Sequence, residues 1–373
     1  MIINATIRKK TSIEINKALN KIKIIVFKSD TVGDLIHFSP ILKIIKDNIK
    51  NSNITLVCSQ YNYQIAKNYK FVDKYIIFDK GNILKTILSN FGLFFLTKYK
   101  YLFQFDGKNN SYLISYFMRA DSKSTICFIK HKKILSYNYR ISRPGKILLN
   151  LFYNNFVVCD EKYDDNTHNK FPVHYQSLFF NVLEKLKFEL TTKKNIFYLN
   201  DDYTSTYEAF FKNNINQRFF LFHIDERWDR FSQIDYENTL KLITKISQKN
   251  KIVITTGIKK FLFLNTLEKK FSTYNFLNDE FISIYRNNNS KQIILLKNMP
   301  LDLLAYFIKN ADKNISAHTG LVVHMSAAFG KEIIDIIKKE KNDELDRWIP
   351  LVSNYKRINF DKIDNNYLKN LKI

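Results

Sequence analysis

The sequence predicts an α/β protein made of two similar domains. The first half of the chain alternates short apolar runs with amphipathic segments such as LIHFSPILKIIKDNI; the apolar runs are KIIVF, NITLVC, KYIIF and YLFQFD. The second half repeats this alternation with RFFLFHI, KIVITTG, QIILL, KNIS and EIIDII. Short β-branched and aromatic runs between helical patterns are typical of a parallel sheet with crossover helices.

The length supports the same organisation, because 373 residues fit two domains that each bury a core. The segment 171–190, FPVHYQSLFFNVLEKLKFEL, has one apolar helical face and is predicted to close the first domain. The boundary is expected within 188–205. We assign 1–190 to the first domain, with a basic extension at 1–20, and 191–373 to the second.

The remaining elements follow in order. SYLISYFMRA is predicted to be a helix and STICFI a strand, whereas KHKKILSYNYRISRPGK, residues 130–146, is interpreted as a loop or a short helix pair. In the second half, the pattern predicts helices over YENTLKLITKISQ, FLFLNTLEKKF, LDLLAYFIKN and GLVVHMSAAFG.

The formal net charge is +24, which favours an anionic partner: nucleic acid, a phosphorylated small molecule or an anionic membrane. A general bias of the source proteome towards Lys, Asn and Ile is the alternative origin of this charge. Three scattered cysteines, Cys58, Cys127 and Cys159, argue against a disulfide framework or a zinc site, so a reducing cytoplasm is expected. The apolar run at 91–96 is too short to span a membrane, and the N-terminus lacks the apolar core of a signal peptide.

Two similar α/β domains in tandem are expected to leave a cleft at the carboxyl ends of their strands, where open parallel sheets bind ligands. Polar residues that follow a strand are therefore candidates for a site. The first such stretch is KSDTVGD, residues 28–34. Gly33 can supply an unusual backbone angle, and neighbouring polar residues can cap a helix that begins near Leu35. The capping candidates are Ser29, Asp30 and Thr31.

Asp34 comes after the glycine and is not needed as the cap in this interpretation. A carboxylate at the carboxyl end of a strand can accept the proton of an incoming hydroxyl group, so Asp34 is a candidate general base. A purely structural turn is the alternative.

The second stretch, HIDERWDRF, follows the strand RFFLF. Arg227 and Arg230 are suited to hold phosphate oxygens, and Trp228 to form a wall against a base or sugar. A solvated charged loop is the alternative.

The third stretch, SAHTGLVVHMSAAFG, opens a helix with Thr319 and Gly320 after a strand. Such a helix start offers free backbone N–H groups to a phosphate or a sugar hydroxyl. His318 and His324 are six residues apart and do not fit the HExxH metal motif. For His324, a hydrogen-bonded, partly buried histidine is the alternative to a ligand contact.

The sequence lacks GxGxxG, GxxxxGK[ST], GxSxG and HExxH, which disfavours dinucleotide oxidoreductases, P-loop enzymes, α/β-hydrolases and HExxH metalloproteases. It also lacks an Asp-x-Asp pair that could hold a metal ion on a nucleotide diphosphate. No metal and no cofactor are expected, and phosphate charge is left to Arg, Lys and helix ends.

Taken in order, four stretches resemble the heptosyltransferases of glycosyltransferase family 9, the enzymes of lipopolysaccharide core synthesis. They are KIIVFKSDTVGDLIHFSPILKIIK, YKYLFQFDGKNNSYLISYFMRA, FPVHYQSLFFNVLEKL and ADKNISAHTGLVVHMSAAFGKEIIDI. The resemblance runs from about Lys21 to about Pro350.

The resemblance implies a GT-B fold with the acceptor on the first domain and the sugar nucleotide on the second. It implies inverting, metal-independent transfer of heptose from ADP-heptose to a lipopolysaccharide or lipooligosaccharide core, with Asp34 as the base. Acceptor binding is assigned to Ser29, Thr31, Gly33 and Asp106, and donor binding to Arg227, Trp228, Arg230, His318, Thr319, Gly320 and His324. The expected partners are a nucleotide sugar and an anionic glycolipid, without nucleic acid. The expected location is cytoplasmic, with peripheral contact to the inner membrane through residues 130–146.

The chain departs from the family pattern where His318 replaces the usual Asp before Thr-Gly, and where Arg-Trp-Asp-Arg-Phe-Ser replaces a Lys-x-Trp-Pro element. The departures leave open a different nucleotide sugar within the same family. Two further functions stay open as well: a GT-B sugar-nucleotide epimerase and a non-catalytic binder of anionic polymers.

Overall fold

The computed structural model describes residues 21–79, 81–134, 137–160, 174–215, 218–257, 265, 275–279, 282–286, 293–297 and 299–361. The chain divides into two compact units, Met1–Lys193 and Lys194–Ile373. Within the described residues, each unit carries one sheet with helices packed on it.

The sheet of the first unit has the strand order β3-β2-β1-β4-β5-β6, and β7 also pairs with β5. The first four strands and β7 run parallel to their neighbours, as the alternating pattern predicts. The strands are β1 (Ile22–Phe27), β2 (Ser52–Cys58), β3 (Lys74–Ile77), β4 (Lys98–Gln104), β5 (Arg119–Ile134), β6 (Tyr137–Arg143) and β7 (Asn155–Asp160).

The described helices of this unit are α1 (Val32–Asn48), α2 (Gln60–Ala66), α3 (Ile83–Ser89), a π-helical turn (Gly92–Leu96), α4 (Asn109–Phe117), α5 (Lys146–Phe152) and α6 (Tyr175–Lys185). The predicted helices over LIHFSPILKIIKDNI, SYLISYFMRA and FPVHYQSLFFNVLEKL are confirmed in α1, α4 and α6. Phe38 of α1 packs against Phe179 of α6, with ring centroids 5.0 Å apart. This pairing buries the apolar face that the sequence shows in 171–190.

The interpretation of residues 130–146 as a loop or helix pair is wrong. β5 and β6 form an antiparallel hairpin there, with His131 opposite Arg140 and Ile134 opposite Tyr137. Alternating β-branched and aromatic residues satisfy the period of a strand, and pairing outweighs the high content of lysine. The side chains of 130–141 lie outside the described residues.

The sheet of the second unit has the order β10-β11-β12-β9-β8-β13-β14-β15. From β12 to β15 neighbouring strands are parallel, and β10 and β11 add an antiparallel hairpin at one edge. The strands are β8 (Phe219–Ile224), β9 (Lys251–Thr256), β10 (Asn275–Asp279), β11 (Ile282–Arg286), β12 (Ile293–Leu296), β13 (Lys313–Ser316), β14 (Glu332–Lys338) and β15 (Tyr355–Phe360).

The main described helices here are α7 (Asp201–Asn214), a second π-helical turn (Trp228–Ser232), α8 (Tyr236–Ser247), α9 (Leu301–Asn310) and α10 (Gly320–Phe329). The last three confirm sequence predictions. The predicted helix FLFLNTLEKKF lies outside the described residues except for residue 265.

In both sheets the first strand lies at the centre. β1 pairs with β2 on one side and β4 on the other, and β8 likewise pairs with β9 and β13. Open α/β sheets bind ligands at the carboxyl ends of their central strands. The three polar stretches singled out in the sequence, together with Asp106, follow β1, β4, β8 and β13.

Candidate functional site

Helix α1 begins directly after the turn that follows β1, three residues earlier than predicted. Thr31 is its N-cap residue, and Gly33 lies within the first helical turn, so the prediction that Gly33 supplies an unusual backbone angle is wrong. Asp34 Oδ2 accepts hydrogen bonds from Thr31 N at 3.2 Å and Thr31 Oγ1 at 2.8 Å. Asp34 is thus not the cap residue, as inferred, but its carboxylate takes part in capping because it accepts from the N–H group of the cap residue.

Capping does not use the whole carboxylate of Asp34. Both hydrogen bonds end on Oδ2, and within the described part of the chain Oδ1 receives none. The side chain is partly exposed at the carboxyl edge of the sheet. One oxygen that is held and one that is open give a fixed carboxylate that can still accept a proton from a hydroxyl group.

A buried cation lies beside this carboxylate. Lys28, 3% exposed, directs its Nζ to Asp30 Oδ2 at 2.7 Å and lies over the rings of Phe38 and Phe179. Burial by itself would lower the pKa of Lys28, but the charges of Asp30, Asp34 and Asp106 outweigh it and raise the pKa above its ordinary value. Lys28 is therefore a permanent positive charge at the end of β1.

Asp106, which follows β4, is bonded on both oxygens. Oδ1 accepts from Gln104 Nε2 and Lys108 N, and Oδ2 accepts from Ser29 Oγ and Ser111 Oγ, at 2.7–3.0 Å. Lys108 Nζ reaches back to Ser29 Oγ at 3.1 Å and to Asp30 Oδ1 at 3.3 Å. The structure thus brings Ser29 and Asp106 together, and Asp106 holds the turn after β1 against the turn after β4.

In the second unit, Arg227 lies against the start of α10. Its Nη1 is 3.4 Å from the carbonyl oxygen of His318, and a Cβ atom at Gly320 would lie 3.2 Å from the same nitrogen. The absence of a side chain at Gly320 therefore lets the guanidinium group approach the backbone. Arg227 has five N–H donors, and a single one of them, on Nη1, has a described partner. The other four are left for an anion.

His318 joins this turn to β14. It has a left-handed backbone with φ 51°, and its N–H and Nδ1–H groups donate to Asp335 Oδ1 at 3.0 Å and Oδ2 at 2.7 Å. Burial opposes ionisation of Asp335, but His318, Tyr355 and Ser316 outweigh burial and hold the pKa of Asp335 below its usual value. Because Asp335 occupies Nδ1, the imidazole presents Nε2, which is buried and has no hydrogen-bond partner among the described residues.

The first turn of α10 is also open. The N-cap residue Thr319 makes no capping hydrogen bond with its side chain, and its buried Oγ1 has no partner in the described chain. The first hydrogen bond of this turn runs from Val323 N to Thr319 O, so the three N–H groups of residues 320–322 precede the helical ladder. The turn of His318, Thr319 and Gly320, with Arg227 beside it, therefore brings together polar groups that lack a hydrogen-bond partner among the described residues. Such a set suits an anion or a polyol.

The prediction that Trp228 forms a wall against a ligand is wrong. Trp228 is fully buried in the core of the second unit, packs on Phe222 with centroids 5.1 Å apart, and donates from Nε1 to Thr239 Oγ1. Arg230 is not brought to the turn at His318. It is exposed, pairs with Glu344 and stacks on Phe231, so the two arginines have separate surroundings.

His324 lies one turn further along α10. It is buried, its Cδ2 would be 3.8 Å from a Cβ at Gly320, and its Nδ1 is 3.4 Å from Asn195 Nδ2. These contacts are those of a hydrogen-bonded, buried histidine. A contact of His324 with a donor stays a prediction.

Three residues of the site were missed in the sequence: Lys28, Lys108 and Asp335. Asp335 carried a signal, because a lone carboxylate inside the apolar run EIIDII must find partners. Lys28 carried a weaker one, as a lysine directly after a buried strand. Among the described residues, no three His, Cys, Asp or Glu side chains lie close enough to hold a metal ion. No described helix is long and apolar enough to cross a membrane.

No protein-family model matches the sequence, and no curated protein matches it. Solved structures do match. A glycosyl transferase of family 9 from Veillonella parvula superposes with a TM-score of 0.65 at 13% identity, covering 93% of this chain and 90% of its own. The E. coli ADP-heptose lps heptosyltransferase II superposes with a TM-score of 0.61 at 14% identity, covering 90% of each chain.

The chain has the GT-B fold. This confirms the fold that the sequence resemblance implies. A UDP-GlcNAc 2-epimerase from Methanocaldococcus jannaschii shares the architecture more distantly, with a TM-score of 0.50 at 12% identity over 91% of this chain and 89% of its own. In GT-B terms, the turn after β1 belongs to the first Rossmann-like unit and the turn at His318 to the second.

Proposed function

We propose that the chain is a heptosyltransferase-like glycosyltransferase that moves a sugar from a nucleotide diphosphate to a glycolipid acceptor, with ADP-heptose as the expected donor and a lipopolysaccharide core as the expected acceptor. One observation carries this proposal: Arg227, the open start of α10 and two buried polar atoms that lack a partner in the described chain meet in one turn of a GT-B unit. Displacement at the anomeric carbon places growing negative charge on the leaving diphosphate. Cationic and N–H groups stabilise that charge most where it grows.

Asp34 is the proposed general base. Thr31 holds one carboxylate oxygen, and the other is open to the hydroxyl group of an acceptor. Lys28 keeps a positive charge close to this carboxylate. A single displacement with this base inverts the anomeric centre. The first Rossmann-like unit is proposed to bind the acceptor through Ser29, Thr31 and Gly33, with Asp106 holding Ser29 in place, and the second unit is proposed to bind the donor.

His318 is the residue that bears on the choice of donor sugar. Where the resembling family has a carboxylate, this chain presents an imidazole Nε2 with Asp335 behind it. A neutral imidazole accepts from a sugar hydroxyl group, as a carboxylate does, whereas an imidazolium donates to phosphate. We therefore propose His318 as the residue through which donor choice differs from that of the family. Peripheral attachment to the cytoplasmic face of the inner membrane belongs to the same proposal.

The test is transfer from ADP-heptose to a truncated lipopolysaccharide core by the wild type and by Asp34→Asn. The amide oxygen of asparagine can still accept from Thr31, so the cap is kept while the base is lost. We expect unchanged ADP binding by calorimetry and a loss of transfer of about 100-fold or more. Thr31→Ala removes the hydroxyl donor to Asp34 but keeps the carboxylate, so it should lose much less transfer than Asp34→Asn. Full transfer activity in Asp34→Asn would refute the assignment of Asp34 as the general base.

An epimerase is the second candidate, because the M. jannaschii epimerase shares the fold. An epimerase converts a nucleotide sugar without any acceptor, whereas a transferase needs one. Incubation with UDP-GlcNAc or ADP-heptose alone therefore separates the two. Conversion of either donor to its epimer in the absence of acceptor would favour the epimerase.

A further inference from the structure

The first unit exposes an unusual apolar surface. Nine large apolar side chains on α3, its C-terminal end, the π-helical turn, α4 and α5 are more than two fifths exposed, up to 82% at Ile147. They are Leu84, Leu88, Phe91, Leu96, Leu113, Phe117, Ile147, Leu148 and Leu151. We call these nine residues the apolar face. Soluble proteins scatter single exposed leucines, but contiguous apolar surface of this size marks an interaction site.

The elements that carry the apolar face pack on one core. Ile83 and Ile87 of α3, Leu93 and Phe95 of the π-helical turn, and residues of α4 and α5 all pack on the cluster around Phe27, Phe94 and Tyr112. Tyr116 of α4 stacks on Phe152 of α5 with centroids 4.7 Å apart, and the π-helical turn packs against α4.

The spacing of the exposed residues shows that they point away from this core. Leu84 and Leu88, Leu113 and Phe117, and Ile147 and Leu151 are each four residues apart, which is one turn of helix. The buried residues of the same helices lie at the intervening positions, such as Tyr112 and Ile114. Each helix therefore has two apolar sides, one packed in the core and one exposed.

The charge around the apolar face identifies its partner. Residues 81–100, 107–120 and 142–154 contain seven Lys or Arg residues and no Asp or Glu. Lys85, Arg119, Arg143 and Lys146 are exposed, whereas Lys98 and Lys100 pair with Asp121. A face that would dock on another globular protein has no need to exclude every carboxylate. The helices and the turn that carry the apolar face contain Lys85 and Lys146 but no Asp or Glu, and the exposed carboxylates nearest to them in sequence are Asp79 and Asp121. Apolar side chains beside cations match the acyl chains and the anionic headgroups of a bilayer.

We propose that the apolar face is a membrane-docking surface that inserts into an anionic lipid bilayer. This places the contact on α3, the π-helical turn, α4 and α5, not on the hairpin 130–146 expected from the sequence. It rests on the proposed function in naming the surface for the peripheral attachment, and it can fail while the transfer reaction stands. It predicts insertion of apolar side chains in addition to the electrostatic attraction that a charge of +24 would give anywhere on the surface.

The test is co-sedimentation of the full chain with vesicles of phosphatidylcholine alone or mixed with phosphatidylglycerol. The variant Leu88→Ser, Phe117→Ser, Leu151→Ser changes one exposed residue on each helix and leaves the charge unchanged. We expect it to bind mixed vesicles about tenfold or more weakly, because each lost side chain removes part of the free energy of burial in the bilayer. Tyr61→Ser with Leu351→Ser, two exposed apolar positions elsewhere, is the matched control and should bind as the wild type does.

A second measurement reports insertion directly. Tryptophan introduced by Phe117→Trp should be quenched by brominated lipid, whereas tryptophan introduced by Tyr61→Trp should not. Lys85→Gln with Lys146→Gln should weaken binding to the mixed vesicles more than Lys339→Gln does, Lys339 being an exposed lysine of the second unit.

Four results would overturn the proposal. The first is equal vesicle binding by the serine variant and the wild type, and the second is no quenching at position 117. The third is loss of vesicle binding when Lys130, Lys132 and Lys133 of the hairpin are replaced by Gln, while the serine variant still binds. The fourth is a dimer of the wild type that dissociates in the serine variant. The third result would assign docking to the hairpin, and the fourth would assign the apolar face to a second copy of the chain.

Discussion

At the scale of single residues, Arg227 and Arg230 show how neighbours in sequence acquire different roles. Both follow β8, and the sequence offers no reason to prefer one of them. Arg227 lies on the open start of α10, whereas Arg230 is exposed and paired with Glu344. An exposed pair of this kind contributes little, while a guanidinium group beside free N–H groups adds bidentate hydrogen bonds to a phosphate.

Arg227→Ala should weaken ADP binding by about 10- to 100-fold, which is the usual loss for charge-assisted hydrogen bonds. Arg230→Ala is the matched control and should bind ADP as the wild type does. Isothermal titration calorimetry measures both. Equal losses in the two variants would show that the charge of the loop matters and the position at α10 does not.

Asp335 and His318 form the second pair at this scale. The folded-state pKa of Asp335 lies below its ordinary value, so its contribution to stability is full above the unfolded-state pKa of about 4 and is lost as the pH falls through the folded-state pKa. Asp335→Asn should therefore destabilise the protein by about 2–4 kcal/mol at neutral pH and give a shallower loss of stability below about pH 4.

Urea unfolding at several pH values measures this effect, with the exposed Asp361→Asn as the control. If the free energy of unfolding falls as steeply below pH 4 in Asp335→Asn as in the wild type, other carboxylates determine the loss of stability in acid. Ligand binding gives a second readout. The single amide oxygen of the variant cannot serve Ser316, Tyr355 and both donors of His318, so the imidazole is held less firmly and ADP-heptose binding at neutral pH should weaken.

At the scale of elements, the site depends on two strand ends held at a fixed distance. Asp106 accepts four hydrogen bonds and is nearly buried, so it ties the turn after β1 to the turn after β4. We therefore regard it as a positioning residue for Ser29 and Lys108. The sequence resemblance, by contrast, assigns it to acceptor binding.

Asp106→Asn should cost about 2–4 kcal/mol of unfolding free energy, because one amide oxygen cannot serve four donors and its NH₂ group faces some of them. Asp121→Asn, on the surface of the same sheet, should leave the unfolding curve nearly unchanged. Chemical unfolding followed by circular dichroism compares them. If Asp106→Asn keeps wild-type stability but raises the KM for the acceptor, Asp106 touches substrate instead.

The hairpin of β5 and β6 belongs to this scale too. Residues 130–146 carry a strand period and a cluster of lysines, and the sequence alone does not weigh one against the other. Pairing with a neighbouring strand decides that residues 137–143 form a strand, because a strand gains its stability from cross-strand contacts. The membrane contact was expected on this hairpin because its lysines are a local pattern. The apolar face requires four elements to pack side by side, and no local pattern of the sequence shows such packing.

At the scale of the whole molecule, the two units repeat one plan. Each has a parallel sheet in which the first strand lies at the centre, with polar turns at its carboxyl end and at that of the strand on one side. Open α/β sheets bind ligands at this edge, which is where the candidate residues of each unit lie. The proposed activity uses one unit for the acceptor and the other for the donor.

The sequence by itself determined the elements whose pattern is local. Short apolar runs predicted β1 to β5, β8, β9 and β12 to β14, and helical periodicity predicted α1, α4, α6 and α8 to α10, since hydrophobic periodicity follows from the geometry of one segment. Order of motifs along the chain was enough to indicate the GT-B fold. The turns after β1, β8 and β13 could be singled out because they follow strands.

Only the tertiary structure decided what individual side chains do. Trp228 was expected to line a ligand site but lies in the core, and Asp335 joins His318 from a strand that lies further along the chain. Burial and hydrogen-bond partners depend on segments far apart in sequence, and a segment does not encode its neighbours. That dependence also created the apolar face, whose four elements share a core but no common sequence pattern.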